Sequence, residues 1–285
     1  MSTQITQAFV QHYRENVIQL AQQKTSRLRA AVSEEKVTGE AAYFDLIGAS
    51  AAQKRTTRHG DTPLVETPHT RRKAVLTDYE WADLIDRQDQ VRMLSSMQSE
   101  YVQAGGMAMG RAIDDVIIAA FNATAITGKD GTGSQAFPAG QQVGVGAAGL
   151  TLTKLRAAAK LLDQGEVEKE DRFIVTSAEQ IDDLLGDTQV TSSDYNTVKA
   201  LKHGEIDSFL GFRFLHSERL PVDGNGDRLC FAWQKRGMKL AFGEDVVTKI
   251  TERSDKSYAM QVYLCMTLGA VRMEEARVVE IACAE

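Results

Sequence analysis

Long apolar runs are scarce in this chain. The longest, at residues 116–121 and 262–268 of 285, fall far short of the ~20 residues a bilayer-spanning helix needs, so no membrane span is expected. The opening Met1-Ser2-Thr3-Gln4-Ile5 has no basic stretch followed by an apolar block, which argues against a secretory signal and for a product that stays in the cytoplasm where it is made. Cysteine is sparse: Cys230, Cys265 and Cys283 sit in alternating apolar segments without CxxC spacing, as small buried hydrophobes of a reducing compartment do. His12, His59, His69, His203 and His216 are dispersed and form no Cys/His cluster, so no metal is expected. A positive excess is missing too. Clustered Lys and Arg drive the gripping of nucleic acid, and a net charge of −6 suits instead a surface that must not adhere to it.

What is present is ordinary globular composition, 43% hydrophobic and 25% charged, enough for one large domain or two closely joined ones. No internal repeat is visible. At the front, Ile5, Phe9, Tyr13, Val17, Leu20 and Leu28 recur at mostly helical spacing and predict an amphipathic helix over 5–32, with an apolar face and no apolar partner beside it in sequence. Residues 41–47 and 73–76 then read as strands running out and back around the turn chemistry of Arg58-His59-Gly60-Asp61-Thr62-Pro63. This charged excursion carries Lys54, Arg55, Arg58, Arg71, Arg72 and Lys73 against only Asp61 and Glu66 between residues 53 and 73. An isolated two-stranded hairpin is marginal in water, so one this long needs another surface to lie on.

Thr77-Asp78-Tyr79-Glu80 matches a capping box opening a short helix, and Ser95-Ser96-Met97-Gln98 repeats the pattern before a much longer one ending near Asn122. On the long helix Met109, Ile113, Val116, Ile117 and Ala120 share a face, with Arg111, Asp114 and Asp115 opposite. Gly105, Gly106 and Gly110 each cost it roughly 1 kcal/mol relative to alanine, which points to something crossing closely. A glycine-rich connector over 127–149 precedes a helix at 153–162. After it come a strand at 172–176, a helix at 178–185 and a further helix at 194–202. Strands follow at 212–216, 228–233, 238–242, 246–251, 259–268 and 278–282, with hairpin-turn residues at Asp223-Gly224-Asn225-Gly226-Asp227. The class is α+β.

Motifs that carry chemistry are weak. Gly144-Val145-Gly146-Ala147-Ala148-Gly149 matches GxGxxG before a helix, but Gln135-Ala136-Phe137-Pro138 and the residues after it make a poor buried strand to feed a dinucleotide site. Gly128-Lys129-Asp130-Gly131-Thr132-Gly133 lacks the order of a phosphate loop. Asp83, Asp86 and Asp89 recur at a spacing that suits a solvated helix face better than paired catalytic carboxylates, with Arg87 and Arg92 within reach. The nine acids between Asp163 and Asp187, against Lys169 and Arg172, read as a solvated surface.

Gly60-Asp61-Thr62-Pro63, His69-Thr70-Arg71-Arg72 and Tyr79-Glu80-Trp81-Ala82-Asp83, leading to Asp89, are followed by Arg111-Ala112-Ile113-Asp114, Gly204-Glu205-Ile206, Leu210-Gly211-Phe212 and Ser217-Glu218-Arg219-Leu220-Pro221. In order and spacing, over nearly the whole chain, they resemble the major capsid proteins of tailed bacteriophages, whose Hong-Kong-97-type fold is shared with encapsulins. The resemblance implies an N-terminal arm over 1–40, an extended loop over 41–80, and the spine helix with the first part of a peripheral domain over 81–160. A mainly axial domain over 161–245 and C-terminal strands over 246–285 complete it. It implies a subunit without catalysis or cofactor, assembling with its own copies into hexamers and pentamers of an icosahedral virion shell around double-stranded DNA, without sequence-specific contacts. A separate scaffolding protein, a portal and a decoration protein are the further partners it implies. Phe9, Tyr13 and Val17 of the arm, with Lys54, Arg55, Arg58, Arg71, Arg72 and Lys73 of the loop, are the candidates for contact between subunits. An encapsulin-type compartment is the alternative, and a nucleotide-binding enzyme built on Gly144 to Gly149 the second.

Overall fold

The computed structural model describes residues 22–58, 61, 62, 64–86, 97–186 and 208–285. In order these form β1 (Ser33–Lys36), β2 (Ala41–Ile47), β3 (His69–Val75), β4 (Thr77–Ile85), α1 (Met97–Asn122), β5 (Ala125–Thr127), β6 (Gly133–Gln135), β7 (Gln142–Val143), α2 (Leu152–Gln164), β8 (Arg172–Thr176), α3 (Ala178–Gly186), β9 (Ser208–Phe209), β10 (Phe212–His216), β11 (Arg228–Gln234), β12 (Met238–Arg253), β13 (Ala259–Arg272) and β14 (Val278–Cys283).

The strands make three sheets, ordered β1-β12-β13-β4, β7-β14-β11-β8-β10-β9 and β2-β3-β5-β6. The first lies under the long helix: Val262, Leu264, Met266 and Leu268 alternate along β13 as buried residues, and α1 packs against that strand. Gly105 permits the approach, because a Cβ there would stand 2.7 Å from both Leu264 and the Trp81 ring. The second sheet meets the end of the helix, where Phe121 stacks on Phe231 with ring centroids 4.8 Å apart and tilts against Trp233 at 4.7 Å. Arg272, fully buried, donates to the Phe121 and Ala123 carbonyls at 2.6 and 2.8 Å, satisfying acceptors that a helix end leaves free.

Several expectations are corrected. Thr77-Asp78-Tyr79-Glu80 opens no helix; it begins β4, antiparallel to β13 from Thr77 opposite Leu268 to Ile85 opposite Met260. The capping-box pattern is local, and it loses to a period-two face on which Tyr79, Trp81 and Ile85 turn toward the core. Asp83 therefore stands on a strand, not on a helical face shared with Asp86, while Asp89 and the expected helix at 194–202 lie outside the described residues. The strands expected at 238–242 and 246–251 are one, β12, with its register against β13 shifted between Phe242 and Val247. The connector is not bare: it holds β6 and β7, and β6 pairs with β5 at its start to join the excursion's own sheet.

At the front, the helix expected over 5–32 falls outside the described residues except for 22–32, where the chain is irregular apart from a single 3-10 turn, Arg29–Ala31. Leu28, Ala31 and Val32 are buried, the Trp233 indole donates to the Ala31 carbonyl at 2.9 Å, and β1 runs parallel to β12. Leu28 to Lys36 and β4 thus pack and pair with β12, β13 and Trp233.

Candidate assembly surface

The excursion is a real hairpin. β2 and β3 pair antiparallel from Ala41 opposite Val75 to Ile47 opposite His69, and the Gly48 amide closes the ladder on the Pro68 carbonyl at 2.8 Å. It is not isolated at its base, because Arg72 and Lys73 pair with Thr127 and Ile126 of β5. Pleating sorts its side chains. Ala42, Phe44 and Ala74 point inward and form a small second core with Ala125, Ala241, Val271 and Met273.

The same alternation separates three adjacent cations. Arg72 points inward: its guanidinium gives Glu275 two bonds of 2.7 and 2.8 Å and the Met273 carbonyl one of 2.9 Å. Within its own chain, then, Arg72 already has an acidic partner. Arg71 points outward to Asp45 at 2.6 Å, which lowers the Asp45 pKa chiefly through that hydrogen bond. Arg71 and Lys73 both lie over the Tyr43 ring, at 5.6 and 5.7 Å from its centroid. A cleft of ≈ 700 Å³ opens between this face and residues 127–129 and 273–275.

Beyond Gly48 the described part of the tip is exposed apart from Thr67, which is half-buried. Lys54, Arg55 and Arg58 stand out in solvent, and Arg55 donates to the Thr57 carbonyl at 2.9 Å. Apolar side chains stand out with them: Leu64 is 92% exposed and Ile47 71%. Isolated exposed apolar residues are ordinary, but here they share the tip with three exposed cations. Phe9, Tyr13 and Val17 lie outside the described residues.

Exposed acids stand on the body. On the face of β4 and β13 turned away from α1, Asp78 and Glu80 accept from the Thr267 hydroxyl at 2.6 Å and the Tyr263 hydroxyl at 2.8 Å, and Leu84 lies 41% exposed along the same strand. The acids between Asp163 and Asp187 are less free than their solvated reading implied. Asp163 holds Arg172 at 2.7 Å, Glu168 pairs with Arg277, and Asp183 accepts the Leu150 amide at 3.0 Å.

That last bond bears on Gly144 to Gly149. Where a dinucleotide would place its pyrophosphate, before α2, the Asp183 carboxylate already takes a backbone N–H, and a Cβ at Gly149 would collide with it. Lys154, the nearby cation, is buried and donates to the Ala148 and Ala282 carbonyls, so its ammonium ties the carboxyl-terminal strand to the loop. Among the described residues no three His, Cys, Asp or Glu side chains converge on a metal site, and no helix is long and apolar enough to cross a membrane. Cys230 is buried and its thiol is pushed up by its hydrogen bond with Cys283 and by burial.

Sequence reasoning missed Glu275, Arg272 and Asp114. A helical wheel leaves Asp114 on the polar side of α1, yet it is fully buried beneath residues 23–28. Only the neighbouring glycines hinted at a crossing segment.

A family model described as phage capsid protein matches residues 5–285. Among solved structures, the capsid of the cyanophage P-SCSP1u superposes with a TM-score of 0.78 at 16% identity, over 100% of this chain and 96% of that one. The acidic stable capsid of Helicobacter pylori bacteriophage KHP30 gives 0.74 at 9% identity, over 96% and 95%. The capsid of Ralstonia phage GP4 gives 0.72 at 11% identity, over 97% and 95%. No curated protein matches.

Proposed function

The chain belongs to the phage capsid protein family and is a structural subunit of a phage capsid with the α+β Hong-Kong-97-type fold, and from that premise we propose how its copies meet. They close into an icosahedral shell of hexamers and pentamers. The excursion of one copy lies on its neighbour, with Lys54, Arg55, Arg58, Arg71 and Lys73 directed at acidic surface such as that around Asp78 and Glu80. Single exposed ion pairs contribute only ~0–1 kcal/mol, so these charges register the copies while apolar contacts at Ile47 and Leu64, and at Phe9, Tyr13 and Val17 of the amino-terminal segment, hold them.

The observation that carries this reading is the tip itself: a hairpin anchored at its base by Arg72, whose far end is left exposed with Leu64 almost fully in solvent. The net charge of −6 favours a wall that retains double-stranded DNA without adhering to it. Synthesis in the host cytoplasm, a scaffolding protein, a portal and a decoration protein belong to the same proposal, as does the absence of catalysis. Neither the compartment shell nor the nucleotide-binding enzyme draws support from the family matched.

Electron microscopy of the expressed chain, alone and with its scaffold, tests this. Closed shells are expected, and reversing Lys54, Arg55 and Arg58 to Glu should lower their yield while leaving the unassembled subunit's melting temperature in place. A chain that stays a monodisperse monomer at high concentration in both settings, or assembly indifferent to the triple reversal, overturns it.

A further inference from the structure

One carboxylate is unexplained by the packing of the body. Asp114 is fully buried midway along α1, and its two oxygens take the Arg27 amide at 3.1 and 3.0 Å, the Leu28 amide at 3.1 Å, the Ser26 hydroxyl at 2.5 Å and the Gln23 side-chain amide. Every one of those donors belongs to a single strap, residues 23–28. Gly110, one turn earlier on the helix, lets the strap cross: a Cβ there would stand 2.9 Å from the Ser26 nitrogen and 3.1 Å from the Thr25 carbonyl carbon. Arg111 holds the near end, donating to the Gln22 side-chain oxygen at 2.8 Å and to the Gln23 carbonyl at 3.5 Å. Arg27 holds the far side, donating to the His216 carbonyl at 2.7 Å.

Burying a carboxylate is costly, and an apolar side chain could pack a strap against a helix without that cost. What the carboxylate adds is position. Four directional donors, from Gln23, Ser26, Arg27 and Leu28, fix where along α1 the strap lies, since a slip of one residue would leave a buried charge unpaired. The strap continues directly into residues 1–21, so its position is also the starting point of that segment.

We propose that Asp114, with Gly110 and Arg111, forms a seat that sets where the amino-terminal segment leaves the body, and that these are positioning residues for shell assembly. The inference rests on the shell-subunit reading, in which that segment meets neighbouring copies. It assigns a role to Arg111-Ala112-Ile113-Asp114 that the core of the subunit does not require.

The test uses the full chain. Asp114→Ala removes the acceptor and Gly110→Ala displaces the strap by bulk, two lesions of unrelated chemistry at one crossing. Leu162→Ala, in the core of α2, serves as a control for stability alone. The expected result is that both seat variants lose uniform closed shells in electron micrographs and, as free subunits, are cut faster by trypsin at Lys24 and Arg27. The control, compared at an equal loss of melting temperature, should still close. Uniform shells from Asp114→Ala and Gly110→Ala, or equal failure of the control, overturn the inference. Failure of the unaltered chain to form any shell overturns the reading beneath it instead.

Discussion

Arg72 and Glu275, 203 positions apart in sequence, are joined by two hydrogen bonds of 2.7 and 2.8 Å that fasten the excursion to the body. Glu275 also lies 3.8 Å from Arg272, whose guanidinium caps the end of α1, so one carboxylate stands between two cations that serve different elements. The Arg72 side chain is 9% exposed and that of Glu275 22%.

Glu275→Ala should therefore destabilise the free subunit by about 2–3 kcal/mol, somewhat below the ~3–5 kcal/mol typical of stranding one member of a fully buried pair. Urea unfolding measures it. Arg71→Ala, one residue away, removes exposed contacts with Asp45 and the Tyr43 ring and should shift the unfolding midpoint far less. Equal midpoints for the two variants would show that Arg72 is not an anchor.

That contrast also marks how far the sequence can be read. Arg71, Arg72 and Lys73 are equivalent as charges, and only the pleat, with Ala74 buried two residues beyond Arg72, divides them into one anchor and two outward cations. The long helix was legible because Met109, Ile113 and Ile117 repeat over many turns, and the carboxyl-terminal strands because their alternation is strong. β4 was not, since what makes Thr77–Ile85 a strand is its partner β13, nearly two hundred residues away. The short β5 and β6 were hidden for the same reason. Asp114 defeats a helical wheel because the strap that buries it comes from another part of the chain.

The strap changes what a truncation should do. Deleting residues 2–32 would remove the buried Leu28 and Val32, at ~1.5–3 kcal/mol of lost burial each, together with every donor to Asp114. That chain should melt well below the parent and reveal nothing specific about assembly. Deleting residues 2–21 leaves the strap seated, so the free subunit should keep its melting temperature while shell formation fails. Differential scanning calorimetry beside electron microscopy separates the two, and normal shells from the shorter deletion would remove the amino-terminal segment from the assembly mechanism.

Glu280 gives a prediction in pH. On β14 it is almost fully buried, and burial raises its pKa even though the Asn122 side-chain amide donates to it at 3.2 Å. With its folded pKa above the unfolded one, the native state holds this proton more tightly, so the contribution to stability is greatest in acid. It is lost as pH rises from the ordinary glutamate range, about 4.3, through the raised native value. Glu280→Gln can still accept the Asn122 bond without carrying a charge. The variant should match the parent near pH 4 and melt at a higher temperature at pH 7, with the gap opening as pH rises between them. A gap that is constant with pH, or one that opens in acid, would mean that the carboxylate is held by partners rather than penalised by burial.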